Sequence, residues 1–557
     1  MSIRSPITKL TTHEVTNQPP PLENFDAYGM DHALVDAIAA SDAGKLEIGL
    51  RAFGEKVGAA QTQQWARQAN RFVPEWRPFD RFGQRIDEVE FHPAWHSLMD
   101  MGISNGIASI AWSAQSGGHT AHAAMMYLMG HADSGVCCPF SMTYAAMPVL
   151  RRNAELAAQW EPRILAASYD SSCVPAAEKS GVTIGMAMTE KQGGSDVRAN
   201  STRATPMGET GEFELVGHKW FCSAPMSDAF LTLAQTDEGL TCFFVPRWRP
   251  DGTRNAIQIA RLKDKLGDRS NASSEIEYHG AWAQRVGEQG RGVRTIIDMV
   301  QGTRLDCLAG SAGIMRAALS QALWHCRYRS AFGKTLINQP LMAQVLADLC
   351  LEAEAATALT FRVAASFDRA DDNAGEAAFA RLATPLAKYW ICKRTPGFVY
   401  EAMECLGGAG YVEETVLPRL YRQAPLNSIW EGSGNVIALD VLRALQREPL
   451  AVDAFVDYLE SVRGCDTTLD RRVAELKNLL TPGAIAAAEA RHLVERMALV
   501  LQASVLVERG PPELAGAFCG ARIGAANHQT FGAGSPLGNP EFLLDRAMPQ
   551  ARRQRRS

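Results

Sequence analysis

The chain contains 557 residues, of which 46% are hydrophobic and 21% are charged, and its formal net charge is −5. A single hydrophobic core stops growing near about 250–300 residues, so the length predicts three or four packed units. The ordinary composition excludes a wholly disordered chain. The weakly negative charge excludes a generally basic protein that binds polyanions, because such binding needs clustered Lys and Arg.

The first residues, MSIRSPITKLTTHEVTNQPPPLENF, lack the apolar core of a secretion signal. No stretch reaches the ~18 uncharged apolar residues of a membrane span, and we expect a cytoplasmic protein. The twelve Cys residues show no CxxC pair and no regular spacing, which predicts reduced thiols rather than a disulfide framework. Cys137 and Cys138 are adjacent, which is a poor geometry for a mutual bridge.

Residues 1–180 are predicted to form an amino-terminal helical domain. In DHALVDAIAASDAGKLEIGLRAFGEKVGAA, the residues Leu34, Ala37 and Ile38 follow the three-and-four spacing of a helix face. Alanine-rich runs, which favour helix, continue through AMMYLMGHADSGVCCPFSMTYAAMPVL. We expect helices to dominate to about residue 180.

The hydrophobic period changes in residues 181–286. Short segments rich in β-branched and aromatic residues are separated by Gly, Pro and Asp, which is typical of strands. The segments are GVTIGMAMTE, GEFELVGHKWFCSA, AFLTLAQT, GLTCFFVPRW, NAIQIARLKDKLG and SSEIEYHGAWAQRV. They predict a small middle β domain.

Long helical patterns return in residues 287–446 and predict an antiparallel helical bundle. Residues 447–557 contain further helical runs, such as AAAEARHLVERMALVLQASVLVERG, before a tail that ends in MPQARRQRRS. The predicted fold class is therefore α+β and mostly α, with an extra carboxyl-terminal helical block. Four basic residues close the chain: Arg552, Arg553, Arg555 and Arg556.

The stretch AMTEKQGGSDVRA follows a predicted strand and places two glycines before Ser195. Adjacent glycines let successive backbone N–H groups point at one anion, and a serine hydroxyl adds a donor, so the turn suits a diphosphate. An ordinary loop held by Asx or Ser turns is the alternative.

Other catalytic and nucleotide motifs are missing from the sequence. It has no GxGxxG after a strand, no GxSxG elbow, and no glycine five residues before FGKT to make a P-loop. His92 and His96 stand four apart in FHPAWH, but Pro93 lies between them and no third metal ligand is near. We expect both histidines to be polar groups at a helix start, and no metal site is predicted.

Four motifs in register identify a family. AMTEKQGGSDVRA resembles the first signature of the acyl-CoA dehydrogenase flavoproteins, and ECLGGAGYVEETVLPRLYRQ resembles the second except at Gln423, where an acidic residue or Asn is usual. RSAFGK lies between them and WEGSGN follows. Together with FHPAWH, GHKWFCSAPMSDAFLTLAQT and LKDKLGDRSNAS, they make residues 20–446 similar to the AidB-like branch, which is linked to protection against alkylation.

The resemblance implies a helical domain, a middle β domain and a four-helix bundle, with FAD in the crevice among them. Residues matching the family positions beside the flavin ring and diphosphate are Met188, Thr189, Gly194, Ser195, Phe221 and Ser223, with Trp220 as an alternative to Phe221. Residues implied to complete the adenosine end from a neighbouring subunit are Arg329, Phe332, Gln339, Glu404, Gly407 and Gly408. A Gln common in the family near the adenosine is replaced by Pro340. The resemblance also implies a homotetramer.

Glu431 stands between a Trp and a Gly-Ser-Gly-Asn turn, immediately before an amphipathic segment. A carboxylate near a helix start, stabilising it by ~0.3–1 kcal/mol, is one interpretation. The resemblance implies instead that Glu431 is the base that removes the α proton of an acyl thioester while a β hydride goes to flavin. Trp430 is then expected to form one wall of the flavin site, and Ser433 and Asn435 are expected to cap the helix or to contact the cofactor.

Some members of the family take the base from an earlier helix, at the position of Thr303. A threonine cannot do that work, so the resemblance places Thr303 and Arg304 in the substrate site instead. Asp306 lies on another face of that predicted helix, and we expect it to be structural.

Two functions follow from the resemblance. The first is FAD-dependent α,β-dehydrogenation of a short or branched acyl-CoA, with weak activity and an electron-transfer-flavoprotein type of acceptor. The second is binding of double-stranded DNA by a stress protein that protects DNA from alkylation and retains the flavin site as a vestige. Beyond Gln446 the charges balance except at the terminal arginines, a pattern more typical of a solvated tail.

Overall fold

The computed structural model describes residues 7–208, 211–480, 485–524 and 530–550. Helices come first, a β domain follows, and long helices return, so the predicted order of layers is confirmed. All twelve cysteines are free thiols and nine of them are buried. Across the described ranges, no helix combines the length and the apolarity needed to cross a membrane.

The amino-terminal part is built from short helices around one shared core. Asp31 caps the first helix by accepting from the Leu34 backbone N–H at 3.2 Å. Leu34 and Ile38, two of the three residues that define the predicted helix face, are fully buried. The helices are α1 His32–Ala39, α2 Glu47–Val57, α3 Ala60–Arg71, α4 Pro93–Ser104, α5 Ile110–Ser113, α6 Gly118–Met129, α7 Cys137–Ala145, α8 Met147–Leu150 and α9 Ala154–Leu165.

A β-hairpin interrupts these helices, and the sequence prediction missed it. Strands β1 (Glu75–Phe79) and β2 (Arg85–Glu90) pair antiparallel. Asp80 makes the turn by accepting from the Phe82 and Gln84 backbone N–H groups, each at 2.8 Å. The strands are short and charged and none of their residues is buried, so they lack the apolar alternation that reveals a strand in sequence.

The middle domain is a seven-stranded sheet in which five strands close into a ring. The ring order is β6, β4, β5, β9, β7 and back to β6, while β3 pairs parallel with β6 and β8 pairs with β9. The strands are β3 Ile184–Ala187, β4 Arg203–Pro206, β5 Glu212–Ser223, β6 Ala229–Thr236, β7 Gly239–Pro246, β8 Ile257–Leu262 and β9 Ser273–Val286. Pairing of β5 with β9 slips between Lys219 and Cys222, which bends the strand where the site begins.

The bundle part contains three long helices and two shorter ones. Asn373 caps the third long helix by accepting from two backbone N–H groups, and a small hairpin of β10 (Ser330–Ala331) and β11 (Lys334–Thr335) joins the first two. The helices are α10 Gly292–Tyr328, α11 Pro340–Arg369, α12 Ala374–Glu404, α13 Leu417–Gln423 and α14 Gly434–Arg447.

The carboxyl-terminal block packs against the bundle. Its longest helix is buried over most of its length and contacts α11, α12 and α14. The helices are α15 Pro449–Glu460, α16 Thr467–Leu479, α17 Ala490–Arg509, α18 Pro512–Phe518 and α19 Pro540–Ala547. The four terminal arginines lie outside the described residues.

Candidate active site

Glu431 lies on a tight turn immediately before α14. Its φ is +54° and that of Gly432 is +103°, so two successive residues occupy the left-handed region that most side chains avoid. Glu431 itself is half-buried. Such a backbone persists only where its surroundings hold it.

Two buried cations hold this turn through its carbonyl oxygens. Lys388 Nζ on α12 donates to the Trp430 oxygen at 2.5 Å and to the Gly432 oxygen at 2.7 Å. Arg304 Nε on α10 donates to the Glu431 oxygen at 3.0 Å. Three consecutive carbonyl groups of the turn therefore accept hydrogen bonds from cationic donors.

The sequence analysis missed Lys388 and assigned Arg304 to substrate. Arg304 is 5% exposed, and its guanidinium pairs with Asp440 of α14 at 3.0 Å, so its donors are used inside the protein. Asp440 also forms an ion pair with Arg381. The contact of Lys388 with this turn is visible only in the folded structure, since Lys388 stands 42 residues before Trp430.

Burial raises the pKa of Glu431 above the ordinary value for a glutamate. A hydrogen bond from Thr303 and the charges of Arg304 and Lys388 act in the opposite direction, while Asp306 raises the pKa further. The net increase suits a proton acceptor that must also release its proton, because such a group works best with a pKa near the working pH. The Thr303 hydroxyl also donates to the Val300 carbonyl oxygen of its own helix at 3.1 Å.

A buried ion pair anchors the Gly-Gly-Ser-Asp loop of the middle domain. Glu190 and Lys219 are fully buried and 2.9 Å apart. Glu190 also accepts from the Ser201 backbone N–H at 2.7 Å and the Thr202 hydroxyl at 2.6 Å. The Glu190 carboxylate therefore connects the two ends of the loop through hydrogen bonds. Ser195 and its neighbouring glycines are exposed at the tip.

The start of this loop is fixed against strand β5. The Thr189 carbonyl accepts from the Trp220 backbone N–H at 2.7 Å. Gly194 leaves no room for a side chain, since a Cβ there would lie 2.5 Å from Thr189 Oγ1. Met188 and Trp430 pack against the same hydrophobic cluster, so one apolar cluster connects the start of the loop to the Glu431 turn.

The aromatic pair at the end of β5 is divided between two environments. The Lys263 Nζ lies 3.2 Å from the centroid of the Trp220 ring, which occupies that ring in a cation–π contact. Phe221 remains 47% exposed. Ser223 follows, with its hydroxyl 3.4 Å from that of Ser273. The same Lys263 Nζ lies 4.7 Å from the centroid of the Phe221 ring, so the two rings differ mainly in exposure, and the assignment of Phe221 over Trp220 stays a prediction.

The predicted adenosine residues form a second group at the opposite end of the bundle. Arg329 and Phe332 follow the end of α10, and Gln339 precedes α11. Glu404 ends α12, and Gly407 and Gly408 begin the turn that follows it. Thr303 lies 25 residues before Tyr328 on α10, which at 1.5 Å per residue is about 37 Å. One chain therefore does not bring the two groups into a single site.

The remaining predicted residues have structural contacts. Ser433 occupies the N-cap position of α14, but its side chain bonds none of the described helix amides, so the capping interpretation is wrong for Ser433. Gln423 accepts from the Asp268 backbone N–H at 2.6 Å and so joins bundle to β domain. His92 caps α4 through the Ala94 N–H at 3.1 Å, as expected of a helix start.

His96 and Asp306 each have a partner of their own inside the protein. His96 Nδ1 lies 2.7 Å from the Tyr169 hydroxyl. Asp306 pairs with the buried His122 at 2.7 Å, which agrees with a structural role for this carboxylate. No group of three or more His, Cys, Asp or Glu side chains in the described ranges could hold a metal ion.

Family models match three consecutive parts of the chain. The AidB N-terminal domain of adaptive-response proteins matches residues 17–171, the acyl-CoA dehydrogenase middle domain matches residues 185–281, and the acyl-CoA dehydrogenase C-terminal domain matches residues 290–446. The order of these models is the order of the three layers in the fold.

Known proteins extend the match to nearly the whole chain. AidB of Escherichia coli (strain K12), a protein assigned to the acyl-CoA dehydrogenases, is 46% identical over 511 residues, covering 91% of this chain and 94% of that protein. Acyl-CoA dehydrogenase family member 11 of Caenorhabditis elegans is 31% identical over 469 residues, covering 80% and 74%.

A solved structure agrees with the sequence relatives. Caenorhabditis elegans ACDH-11, crystallised in complex with C11-CoA, has a TM-score of 0.84 at 27% identity and covers 94% of this chain and 96% of that chain. The chain therefore belongs to the acyl-CoA dehydrogenase family of flavoproteins, whose cofactor is FAD, and within it to the AidB-like members.

Proposed function

We propose that this protein uses FAD to remove two hydrogens from the Cα–Cβ bond of an acyl-CoA, with Glu431 as the base. The observation that carries the proposal is the Glu431 turn, whose left-handed backbone is held by Lys388 and Arg304. A half-buried carboxylate of raised pKa on a backbone that costs energy to hold is an arrangement that a purely structural glutamate does not need.

The residues of the crevice fit the cofactor. Phe221 offers an exposed ring, Met188 and Trp430 share one apolar cluster, and the exposed glycine loop offers backbone donors before Ser195. FAD, when bound, would accept a hydride from the substrate's β carbon. Glu431 would take the α proton, a carbon–carbon double bond would form, and an electron-transfer-flavoprotein type of acceptor would receive the two electrons.

Thr303 and Arg304 are reassigned within this proposal. Both lie beside Glu431 and act on its carboxylate or its backbone, so we assign them to positioning the base rather than to binding the substrate. The C11-CoA complex of ACDH-11 favours an acyl-CoA as the substrate class. We retain a short or branched acyl chain as the specific hypothesis.

The decisive experiment follows the flavin absorbance of the holoenzyme under anaerobic conditions. Butyryl-CoA or isovaleryl-CoA should bleach the wild-type flavin. Glu431→Gln should retain FAD at the wild-type stoichiometry and lose at least 1,000-fold in the bleaching rate, because the amide cannot accept the α proton. Equal bleaching by wild type and variant would remove Glu431 from the reaction.

A surface of exposed apolar residues favours an assembly of several subunits. Phe332 is 98% exposed, Leu341 85% and Tyr411 81%. Phe332 and Tyr411 lie in connections of the bundle and Leu341 in the first turn of α11, all near the predicted adenosine residues in the sequence. Large exposed rings of this kind mark interaction sites. We propose that a neighbouring copy covers them, that Arg329, Phe332, Gln339, Glu404, Gly407 and Gly408 complete its FAD site, and that the assembly is a homotetramer.

A further inference from the structure

The hairpin of β10 and β11 has a strained and exposed tip. Phe332 and Gly333 form the two-residue turn between the paired residues Ala331 and Lys334. Phe332 has φ +51° and Gly333 has φ +80°, and a bulky residue in the left-handed region costs energy unless its surroundings hold it. The Phe332 ring is almost wholly exposed, so its own packing does not hold the turn. The base of the hairpin therefore has to supply the support.

A side chain of the amino-terminal segment binds the base of this hairpin. Asn17 Nδ2 donates to the Ser330 carbonyl oxygen at 2.8 Å, and Asn17 Oδ1 accepts from the Ser330 backbone N–H at 2.8 Å. One amide therefore pairs with both backbone polar groups of Ser330, as a further strand would. From the other side, Gln339 Nε2 donates to the Ala331 carbonyl oxygen at 2.8 Å. Two side-chain amides thus fix residues 330 and 331.

The same asparagine also binds the guanidinium of Arg329. Arg329 Nη1 donates to the Asn17 carbonyl oxygen at 2.7 Å, and this is the one side-chain hydrogen bond of Arg329 within the described ranges. It uses one of the five N–H groups of the guanidinium. Asn17 has φ +56°, in the left-handed region that asparagine tolerates better than most residues. Asn17 thus binds the hairpin with its side chain and Arg329 with its main chain.

The segment that carries Asn17 is anchored to the bundle a few residues further along. Trp324 Nε1 on α10 donates to the Pro20 carbonyl oxygen at 2.7 Å. Leu22 and Phe25 are buried in the core that includes the bundle. Asn17 therefore stands three residues from a fixed point on the helix that ends at the hairpin.

We propose that Asn17 is a positioning residue for the shared cofactor site, which holds Arg329 of one subunit in the arrangement that meets the adenosine end of FAD in the neighbouring subunit. The inference rests on the proposed sharing of FAD between subunits. A guanidinium that is already ordered loses less conformational freedom when it binds. Its remaining N–H groups are suited to charge-assisted hydrogen bonds with an anionic cofactor, so an ordered Arg329 slows the release of FAD.

The test measures the rate at which diluted holoenzyme releases FAD, followed by the fluorescence of the free flavin. Arg329→Ala should speed release at least 30-fold, because it removes the charged group. Asn17→Gly should speed release at least fivefold, since glycine keeps the left-handed backbone but loses both bonds to Ser330. Asn24→Gly is the matched control and should release FAD at the wild-type rate. Asn24 also has φ +56°, but its side chain accepts from the Ala60 backbone N–H at 3.1 Å.

A combined variant separates positioning from a general loss of structure. Adding Asn17→Gly to Arg329→Ala should change the release rate less than twofold, because Asn17 acts through Arg329. A fivefold effect that persists in this background, or wild-type release by Asn17→Gly alone, would overturn the inference. Asn17→Asp keeps the test valid if the glycine variant fails to fold, since a carboxylate cannot donate to the Ser330 oxygen and should also speed release.

The Arg329→Ala variant alone tests the proposed function on which the inference rests. If this variant releases FAD at the wild-type rate, Arg329 does not contact the cofactor of the neighbouring subunit. The shared site would then be wrong, and the role of Asn17 would be wrong with it. Fast release by Arg329→Ala together with wild-type release by Asn17→Gly would keep the shared site and reject only the positioning role.

Discussion

At the scale of single residues, the site depends on one carboxylate and the groups that hold its backbone. Glu431 adopts a conformation that costs energy, and Lys388 and Arg304 offset that cost by binding three successive carbonyl oxygens. Both cations also lower the pKa of Glu431 while burial raises it. The same two side chains therefore set the position and the proton affinity of the proposed base.

Lys388→Met should shift the pH dependence of flavin bleaching to higher pH. The lysine charge lowers the pKa of Glu431, so removing it raises that pKa, and the carboxylate form needed for proton removal then appears only at higher pH. The unpaired carbonyl groups should also destabilise the turn by about 1–3 kcal/mol. The measurement is the bleaching rate with butyryl-CoA between pH 5 and pH 9. An unchanged profile in a folded, FAD-loaded variant would contradict the prediction. Lys477→Met is the control, because this lysine lies on α16 and pairs with Glu460 rather than with the Glu431 turn.

At the scale of elements, the β domain positions its loop through one internal ion pair. Burial alone would raise the pKa of Glu190, but the Lys219 charge and the Thr202 and Ser201 hydrogen bonds outweigh it and lower the pKa. This carboxylate therefore stabilises the fold at pH values above its unfolded pKa, and the contribution is lost as the pH falls toward the lower folded value. The loop of residues 190–202 depends on this pair for both of its ends.

Lys219→Met should destabilise the β domain by about 3–5 kcal/mol, because Glu190 would be left as a buried, unpaired charge. Chemical unfolding monitored by tryptophan fluorescence measures the change. The double variant Glu190→Gln/Lys219→Met should recover part of the loss, since it removes the orphaned charge. If the single and double variants are equally stable, the ion pair does not anchor the loop.

At the scale of the whole molecule, one buried arginine connects three parts of the chain. Arg316 of α10 pairs with Asp31 at 3.1 Å and donates to the Met30 and Ala547 carbonyl oxygens at 2.8 and 2.9 Å. The amino-terminal domain and the last described helix are thus joined to the centre of the bundle. The exposed end of the bundle, by contrast, is left for the proposed neighbouring subunit.

Phe332→Ala should lower the FAD content of the purified protein at least fivefold and shift the assembly toward smaller species. The ring is almost wholly exposed in one chain, so its loss should not affect folding of the subunit. Analytical ultracentrifugation and the flavin-to-protein absorbance ratio are the measurements. Phe82→Ala is the control, because that ring is 71% exposed and lies in the turn between β1 and β2, outside the predicted adenosine residues. A Phe332 variant that retains wild-type mass and FAD content would contradict the shared site.

The sequence by itself determined the order of the layers, the family and the place of Glu431, because each depends on local periodicity or on a contiguous motif. It did not reveal the charged β1–β2 hairpin, and the domain limits near residues 180, 286 and 446 remain predictions. Only the tertiary structure decided that Lys388 and Arg304 hold the Glu431 turn. Hydrogen-bond partners 42 and 127 residues apart are chosen by how the helices pack, and no local pattern in the chain encodes that choice.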